Sequence, residues 1–167
     1  SVAINLSARQ FSDESLIDVV MAAMSANRVS PDRVEMEITE SLVMQNPERA
    51  VSALRELKKL GCKVALDDFG TGYSSLAYLR SFPLDCLKID KSLIQDVAIV
   101  RAVIQLSHSF GLTTLAEGVE DEAVLALLGH LGCDVVQGFY HSRPLPLEDF
   151  RTFLRRNFGA HSEERVP

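Results

Sequence analysis

Apolar runs and amphipathic stretches alternate along the chain of 167 residues. Six short runs rich in β-branched residues predict strands, and they span residues 2–6, 34–39, 63–67, 86–90, 113–117 and 134–139. Segments with apolar residues three or four positions apart predict helices between them, at residues 13–27, 47–60, 98–110, 122–131 and 147–158. This alternation indicates an α/β fold with parallel strands joined by crossover helices.

Polar residues at the carboxyl ends of the predicted strands bear on the choice between an open sheet and a closed barrel. In an open doubly wound sheet, functional groups gather at one switch point. In a barrel, all strand ends face one shared mouth. All six predicted strands carry such groups, which favours a TIM-like (β/α) barrel; they are Asn5, Glu37 with Glu40, Asp67 with Asp68, Lys88 with Asp90, Glu117 with Glu120, and Gln137.

Composition indicates an ordinary soluble globular domain, with 47% hydrophobic and 24% charged residues. No linker or low-complexity stretch divides the chain, so we expect one domain over residues 1–158 and a polar, disordered tail over residues 159–167. The sequence shows neither a signal peptide nor an apolar stretch of membrane-spanning length. Because the chain opens with Ser1 directly before an apolar run, we expect it to be cut from a longer protein.

The net charge limits the possible binding partners, and the cysteine content indicates the cellular compartment. Lys and Arg number 17 against 23 Asp and Glu, a net charge of −6 that argues against duplex DNA or RNA as a partner. Bound cations would still allow a small phosphate ester to bind. Cys62, Cys86 and Cys133 lack C-x-x-C spacing and resemble buried small hydrophobes of a reducing compartment, so we expect a cytoplasmic domain without disulfides.

Carboxylates that converge on one mouth point to metal binding. Any one of these polar residues, taken alone, can be explained as an ordinary solvated side chain. Several carboxylates in one place, however, repel each other unless cations neutralise them. Asn, Asp and Glu oxygens suit Mg²⁺ or Mn²⁺. Gly70 and Gly72 directly follow Asp67 and Asp68 and permit a tight turn. Lys88 lies between apolar neighbours, where a lysine needs a charged partner.

Six segments in combination resemble the bacterial EAL domains, a family of cyclic-di-GMP phosphodiesterases. They read NLSARQF at 5–11, EMEITES at 35–41, DDFGTGYSSL at 67–76, LKIDKS at 87–92, AEGVE at 116–120 and GCDVVQGF at 132–139. The resemblance runs from residue 2 to about residue 150. It implies a barrel that hydrolyses cyclic di-GMP to linear pGpG with two Mg²⁺ or Mn²⁺ ions.

The resemblance also implies a role for each matching residue. Asn5, Glu37 and Asp67 would bind the first metal, and Asp67, Asp68 and Glu117 the second. Lys88 would hold or deprotonate the attacking water, with Glu117 as the other catalytic residue, and Gln137 would orient the site. A further set would brace the loop after Asp68, namely Glu40, Glu120, Gly70, Thr71, Gly72 and Ser74.

Two features depart from the family pattern. The chain begins after the Glu-Ala-Leu strand, whose Glu is a metal ligand, so we expect about six of eight β/α units and an incomplete first metal site. The segment 93–98 is shorter than in similar domains, through either a deletion or a loop left out of the sequence.

The resemblance implies a homodimer formed through the region after Asp68, an upstream sensory or GGDEF-type domain, and no membrane contact by this domain. A non-catalytic cyclic-di-GMP receptor remains the alternative. An interaction module that neither binds nor cleaves the dinucleotide fits the retained motifs least.

Overall fold

A computed structural model describes residues 1–70 and 76–158. The strands in these residues are β1 (Val2–Asn5), β2 (Val34–Thr39), β3 (Lys63–Phe69), β4 (Cys86–Ile89), β5 (Thr113–Ala116) and β6 (Val135–Val136). Thr71, Gly72 and Ser74, which the resemblance assigns to loop bracing, lie outside the described residues, as does the tail at 159–167.

The five predicted helices are present among the described residues, together with three short ones that follow β1, β2 and β3. They are α1 (Ala8–Phe11), α2 (Leu16–Asn27), α3 (Glu40–Gln45), α4 (Pro47–Lys59), α5 (Leu76–Leu79), α6 (Val97–Ser109), α7 (Glu122–Leu131) and α8 (Leu147–Phe158). The sequence pattern missed α1, α3 and α5, which are too short to show a period. Side-chain caps begin α1 and α3: Ser7 forms a capping box with Gln10, and the Thr39 hydroxyl accepts the Leu42 amide.

Strand order decides between the two architectures that the sequence left open. The described strands form one parallel sheet in the order β1-β2-β3-β4-β5-β6. A doubly wound sheet reverses its strand order at a switch point, and this sheet does not. Every right-handed crossover therefore advances in one direction and keeps the helices on one face. The fold is an incomplete (β/α) barrel, as predicted.

The two faces of the sheet have different chemistry. The face beneath the helices is closed to solvent and holds Met36, Ile38, Leu66, Leu87 and Ile89, each at most 2% exposed. Burying side chains of this kind contributes about 1.5–3 kcal/mol each before entropy is counted. The opposite face carries the polar residues, because successive side chains of a strand alternate between faces.

Several strands end at other residues than the pattern indicated. β4 stops at Ile89, because the Asp90 side chain accepts the Ser92 amide and begins a 3₁₀ turn, Lys91–Leu93. β3 runs on to Phe69. β6 covers two residues rather than 134–139, since the backbone beyond Gln137 folds back and Tyr140 donates to the Val119 carbonyl at 3.0 Å.

The cysteines confirm the expectation of burial in part. Cys62 and Cys86 are buried and Cys133 is half-buried, and all three are free thiols. Burial raises the pKa of the Cys86 thiol to about 11, so it is protonated at neutral pH. Among residues 1–70 and 76–158, no helix has both the length and the apolarity to cross a bilayer.

Asp134 joins β5 to the segment before β6 at the end of the sheet opposite the mouth. One carboxylate oxygen accepts the Thr114 amide at 2.7 Å and the Thr114 hydroxyl at 2.8 Å, and it lies 2.9 Å from His108 Nε2. Burial pushes the pKa of Asp134 up. The hydrogen bonds from Thr114 and His108 outweigh burial and leave the pKa below its ordinary value of 3.8.

We expect Asp134→Asn to lower the free energy of unfolding by about 1 kcal/mol near pH 7, because the hydrogen bonds lose their charge assistance at a side chain that solvent partly screens. A carboxyl group whose pKa is lower in the folded state than in the unfolded state stabilises the fold at pH values above its unfolded-state pKa of about 4. This stabilisation is lost as the pH falls through the folded-state pKa. The difference between the two proteins should therefore shrink below pH 4. Denaturant unfolding at several pH values measures it, and a difference that stays constant with pH would contradict this role.

Candidate functional site

The side chain of Lys88 is the centre of the polar face. Its Nζ lies 2.9 Å from Glu37 Oε1, 3.0 Å from Asp67 Oδ1 and 2.7 Å from Glu117 Oε1. The three carboxylates come from β2, β3 and the residue that follows β5, and Lys88 itself lies on β4. Four consecutive strands of a parallel sheet therefore deliver one charged group each to one point.

The ion-pair cluster is nearly closed to water. The Lys88 side chain is 3% exposed, that of Glu37 8%, that of Asp67 12% and that of Glu117 25%. Burial acts to lower the pKa of Lys88, but hydrogen bonds to Glu117, Glu37 and Asp67 together raise the pKa above the ordinary lysine value. The ammonium is therefore charged throughout the neutral range. One positive charge faces three carboxylates, so the cluster has an excess of negative charge that favours a further cation.

A β-bulge places two adjacent carboxylates at the end of β3. Leu66 pairs with Leu87 and Phe69 with Ile89, so three steps along β3 match two along β4. The extra residue is accommodated at Asp68, whose φ of 56° is the left-handed conformation that short polar side chains tolerate. In a regular strand, consecutive side chains would point to opposite faces. The bulge interrupts that alternation at the two consecutive acidic residues, Asp67 and Asp68.

Asp68 lies within the electrostatic influence of its neighbours. Burial raises its pKa first, and the negative charges of Asp67 and Asp90 raise it further, against a smaller opposing effect of Lys88. An additional cation beside Asp67 and Asp68 would relieve this repulsion.

Glu40 holds the start of the loop that follows β3. Glu40 is 1% exposed, and its Oε2 accepts the Gly70 amide at 2.9 Å. The other oxygen, Oε1, is buried and has no hydrogen-bond partner among residues 1–70 and 76–158. Glu120 is exposed and makes no ion pair or hydrogen bond within residues 1–70 and 76–158. Its assigned bracing contact is therefore not seen in the described part of the loop.

Asn5 and Gln137 stand at the two sides of the cluster. Asn5 is exposed and pairs in register with Glu37, so both side chains belong to the polar face. Gln137 follows β6 and is also exposed. Its backbone ties it to the segment after β5, because its amide donates to the Ala116 carbonyl at 2.8 Å and its carbonyl accepts the Val119 amide at 3.1 Å.

The donor set suits a hard cation. The side chains of Asn5, Glu37, Asp67, Asp68 and Glu117 offer oxygen atoms only, the ligand type of Mg²⁺ and Mn²⁺. Within the described residues, no three His, Cys, Asp or Glu side chains are spaced to enclose a metal, because the carboxylates close around the Lys88 ammonium. The chemistry of the donors fits the implied metals.

Comparison with known proteins identifies the family. The model of the EAL domain matches residues 1–144. The chain belongs to the EAL domain family.

Curated relatives agree with this assignment. The chain is 44% identical over 161 residues to the signaling protein YkoW of Bacillus subtilis, covering 92% of this chain and 20% of that protein. It is 42% identical over 161 residues to the cyclic di-GMP phosphodiesterase NbdA of Pseudomonas aeruginosa, with coverage of 92% and 21%. The chain thus spans about a fifth of the length of the curated relatives that it matches.

Solved structures share the fold. The PaMucR phosphodiesterase in complex with c-di-GMP aligns with a TM-score of 0.87 at 40% identity, over 90% of this chain and 64% of that one. The EAL domain of Mycobacterium smegmatis DcpA aligns with the same TM-score and identity, over 99% and 74%. Both solved chains are longer than the present chain.

Two glycines that shape the site were not predicted from the sequence. Gly118 follows Glu117 and Gly138 follows Gln137, and each approaches the backbone or Cβ of a neighbouring loop so closely that a side chain would overlap it. The signal in the sequence was a glycine directly after a polar strand-end residue in both segments.

We expect Lys88→Met to lower the free energy of unfolding by about 3–5 kcal/mol, because it leaves three largely buried carboxylates without their cation. Lys58→Met is the matched control. Lys58 pairs with Asp85, but both side chains are 33% exposed and Asp85 also accepts the Val64 amide, so we expect about 1 kcal/mol there. Denaturant unfolding gives both values. An equal or smaller loss for Lys88→Met would show that the cluster does not hold the strands together.

Proposed function

We propose that this domain is a cyclic-di-GMP phosphodiesterase that opens one phosphodiester bond of the cyclic dinucleotide and releases linear pGpG. The observation that carries the proposal is the convergence of Glu37, Asp67 and Glu117 on Lys88 Nζ within 3.0 Å. Membership of the EAL domain family and the similarity to named cyclic di-GMP phosphodiesterases support the substrate.

The metal ligands that we propose follow the strand ends. Asn5, Glu37 and Asp67 would hold one ion, and Asp67, Asp68 and Glu117 the other. When bound, Mg²⁺ or Mn²⁺ would supply Lewis-acid activation of water and neutralise phosphate charge. The excess of negative charge around Lys88 and the raised pKa of Asp68 support the presence of additional cations.

The side chains of the chain itself position the reactants. The Lys88 ammonium has three protons to donate, all directed at carboxylates in the present arrangement, and one of them would turn to hold the attacking water. Glu117 is the most exposed of its three partners and would accept a proton from that water. Gln137, beside the mouth, would orient the substrate. Glu40 would keep the loop at Gly70 in place through the amide that it accepts.

The wider assembly is also a proposal. We infer that the loop after Asp68 contributes to a homodimer and that the parent protein carries an upstream sensory or GGDEF-type domain and works in the cytoplasm. The bifunctional diguanylate cyclase/cyclic di-GMP phosphodiesterase MucR of Pseudomonas aeruginosa, 41% identical over 155 residues, supports such a combination. The chain covers 23% of that protein.

Replacement of a proposed ligand should abolish turnover. We expect Glu37→Ala or Asp67→Ala, in a polypeptide extended upstream to complete the barrel, to lower kcat by at least about 10³-fold, because charge stabilisation at the phosphate is lost. Glu35→Ala is the control. Glu35 lies on the same strand and face, two residues before Glu37, and forms no ion pair with Lys88. Chromatography of pGpG measures the rates, and near-normal turnover in either ligand variant would contradict the proposal.

Lys88 should affect the chemical step more than binding. We expect Lys88→Ala to reduce kcat by at least about 10²-fold, because the attacking water loses the ammonium that positions it, with a much smaller change in the Kd for cyclic di-GMP. Rate measurements and titration calorimetry on the same preparations separate the two. A parallel loss of affinity and rate would assign Lys88 to substrate binding instead.

A non-catalytic receptor is the other outcome of these experiments. It would bind cyclic di-GMP with the proposed ligands intact and form no pGpG with either metal. Retention of the proposed ligand residues favours the enzyme, because a receptor does not need a lysine and three carboxylates in hydrogen-bond contact.

A further inference from the structure

We propose that Gly118 is a positioning residue, which holds Glu117 against Lys88 by allowing its loop to pack on Lys91 without an intervening side chain. The inference deepens the proposed function and rests on it for its effect on turnover. A Cβ atom placed on Gly118 would overlap Lys91 Cβ and lie 3.5 Å from Lys91 Cα. Gly118 directly follows Glu117, and Lys91 is three residues beyond Lys88. The contact between Gly118 and Lys91 therefore links the two chain segments whose residues Glu117 and Lys88 form the shortest ion pair in the cluster.

Lys91 is poorly able to retreat from such an overlap. It opens the 3₁₀ turn Lys91–Leu93, which Asp90 caps by accepting the Ser92 amide at 2.9 Å. The Leu93 amide donates to the Asp90 carbonyl at 3.0 Å, and Ile94, the residue after the turn, is 5% exposed. The overlapping atom is a Cβ rather than the free end of the lysine side chain, so a change of rotamer does not remove it.

A second glycine confines the same loop from the other side. A Cβ on Gly138 would overlap the Val119 amide nitrogen and carbonyl oxygen and lie 2.7 Å from the Val119 carbonyl carbon. Val119 is fully buried, and its amide donates to Gln137 while its carbonyl accepts from Tyr140. The segment from Glu117 to Val119 therefore packs closely against Lys91 on one side and against Gly138 on the other.

This confinement sets the geometry of Glu117. The Glu117 amide donates to the Ile89 carbonyl at 3.1 Å, and Oε1 lies 2.7 Å from Lys88 Nζ. Relieving an overlap at Gly118 requires a shift of about 1 Å to reach ordinary carbon–carbon contact. A shift of that size takes the ion pair beyond hydrogen-bond distance. Misplacement of a reacting group by about 1 Å can cost about 10²-fold in rate.

The chain offers a matched control for the substitution. Gly118 has a φ of +69° and Gly111 a φ of +72°, but a Cβ on Gly111 would meet no atom within 4 Å. Gly118→Ala and Gly111→Ala therefore both place an alanine at a similar positive φ, and only Gly118→Ala adds an overlap with Lys91. Lys91→Gly removes the overlapped atom, so the double variant Lys91→Gly/Gly118→Ala should recover what Gly118→Ala loses.

The first experiment measures hydrolysis of cyclic di-GMP in the upstream-extended polypeptide. We expect kcat to fall about 10²-fold for Gly118→Ala, to stay within a few-fold of wild type for Gly111→Ala, and to return towards the Lys91→Gly value in the double variant. KM should change little in the first variant. Equal losses in the two alanine variants, or no recovery in the double variant, would overturn the role of Gly118.

The second experiment does not depend on turnover. Double-mutant cycles of Lys88→Met with Glu117→Gln, read by denaturant unfolding, give the coupling between these two side chains. We expect this coupling to be lost in the Gly118→Ala background and kept in the Gly111→Ala background. If the wild type proves inactive, the proposed function fails while this result still decides the role of Gly118. Coupling that persists in Gly118→Ala would overturn the inference even in an active enzyme.

Discussion

The described structure depends on one buried ammonium group that three carboxylates share. Lys88, Glu37, Asp67 and Glu117 come from consecutive strand units and meet within 3.0 Å of one nitrogen atom. Neither the lysine nor the acids could be buried alone without a large desolvation cost. The cluster therefore requires the strands to be parallel, in sequential order and in register, and any change in one of those features would leave buried charge unpaired.

Local backbone devices adapt a regular barrel to this requirement. The bulge at Asp68 brings two consecutive acids to the strand end, and Glu40 holds the backbone just beyond it at Gly70. The glycines at 118 and 138 let the neighbouring loops touch without side chains between them. The residues that carry the chemistry are thus held by backbone packing, which is the rigidity that a preorganised site needs.

The sequence predicted the architecture well because its signals were long-range patterns. Alternating periods gave the strand–helix order, and polar residues at every strand end favoured the barrel, which the strand order confirmed. The sequence also predicted that Lys88 has a charged partner, because a lysine between Leu87 and Ile89 is costly to bury unpaired, and the three carboxylates confirm it. The chemical roles assigned to all the site residues remain predictions.

What the pattern missed depends on backbone geometry in three dimensions. Periodicity does not reveal a bulge, so the extension of β3 to Phe69 was unexpected, and capping decided the short helices α1 and α3. The close approach of Gly118 to Lys91 joins residues 27 positions apart, and no local signal encodes it.

The measurement that tests the account most directly is a time course of cyclic di-GMP with Mg²⁺ or Mn²⁺, followed by chromatography. It compares the present chain with one extended upstream by two strand–helix units, each with and without EDTA. The account predicts that only the extended protein forms pGpG and that EDTA stops it. Binding of the dinucleotide by the extended protein without any pGpG would contradict the account and identify a receptor.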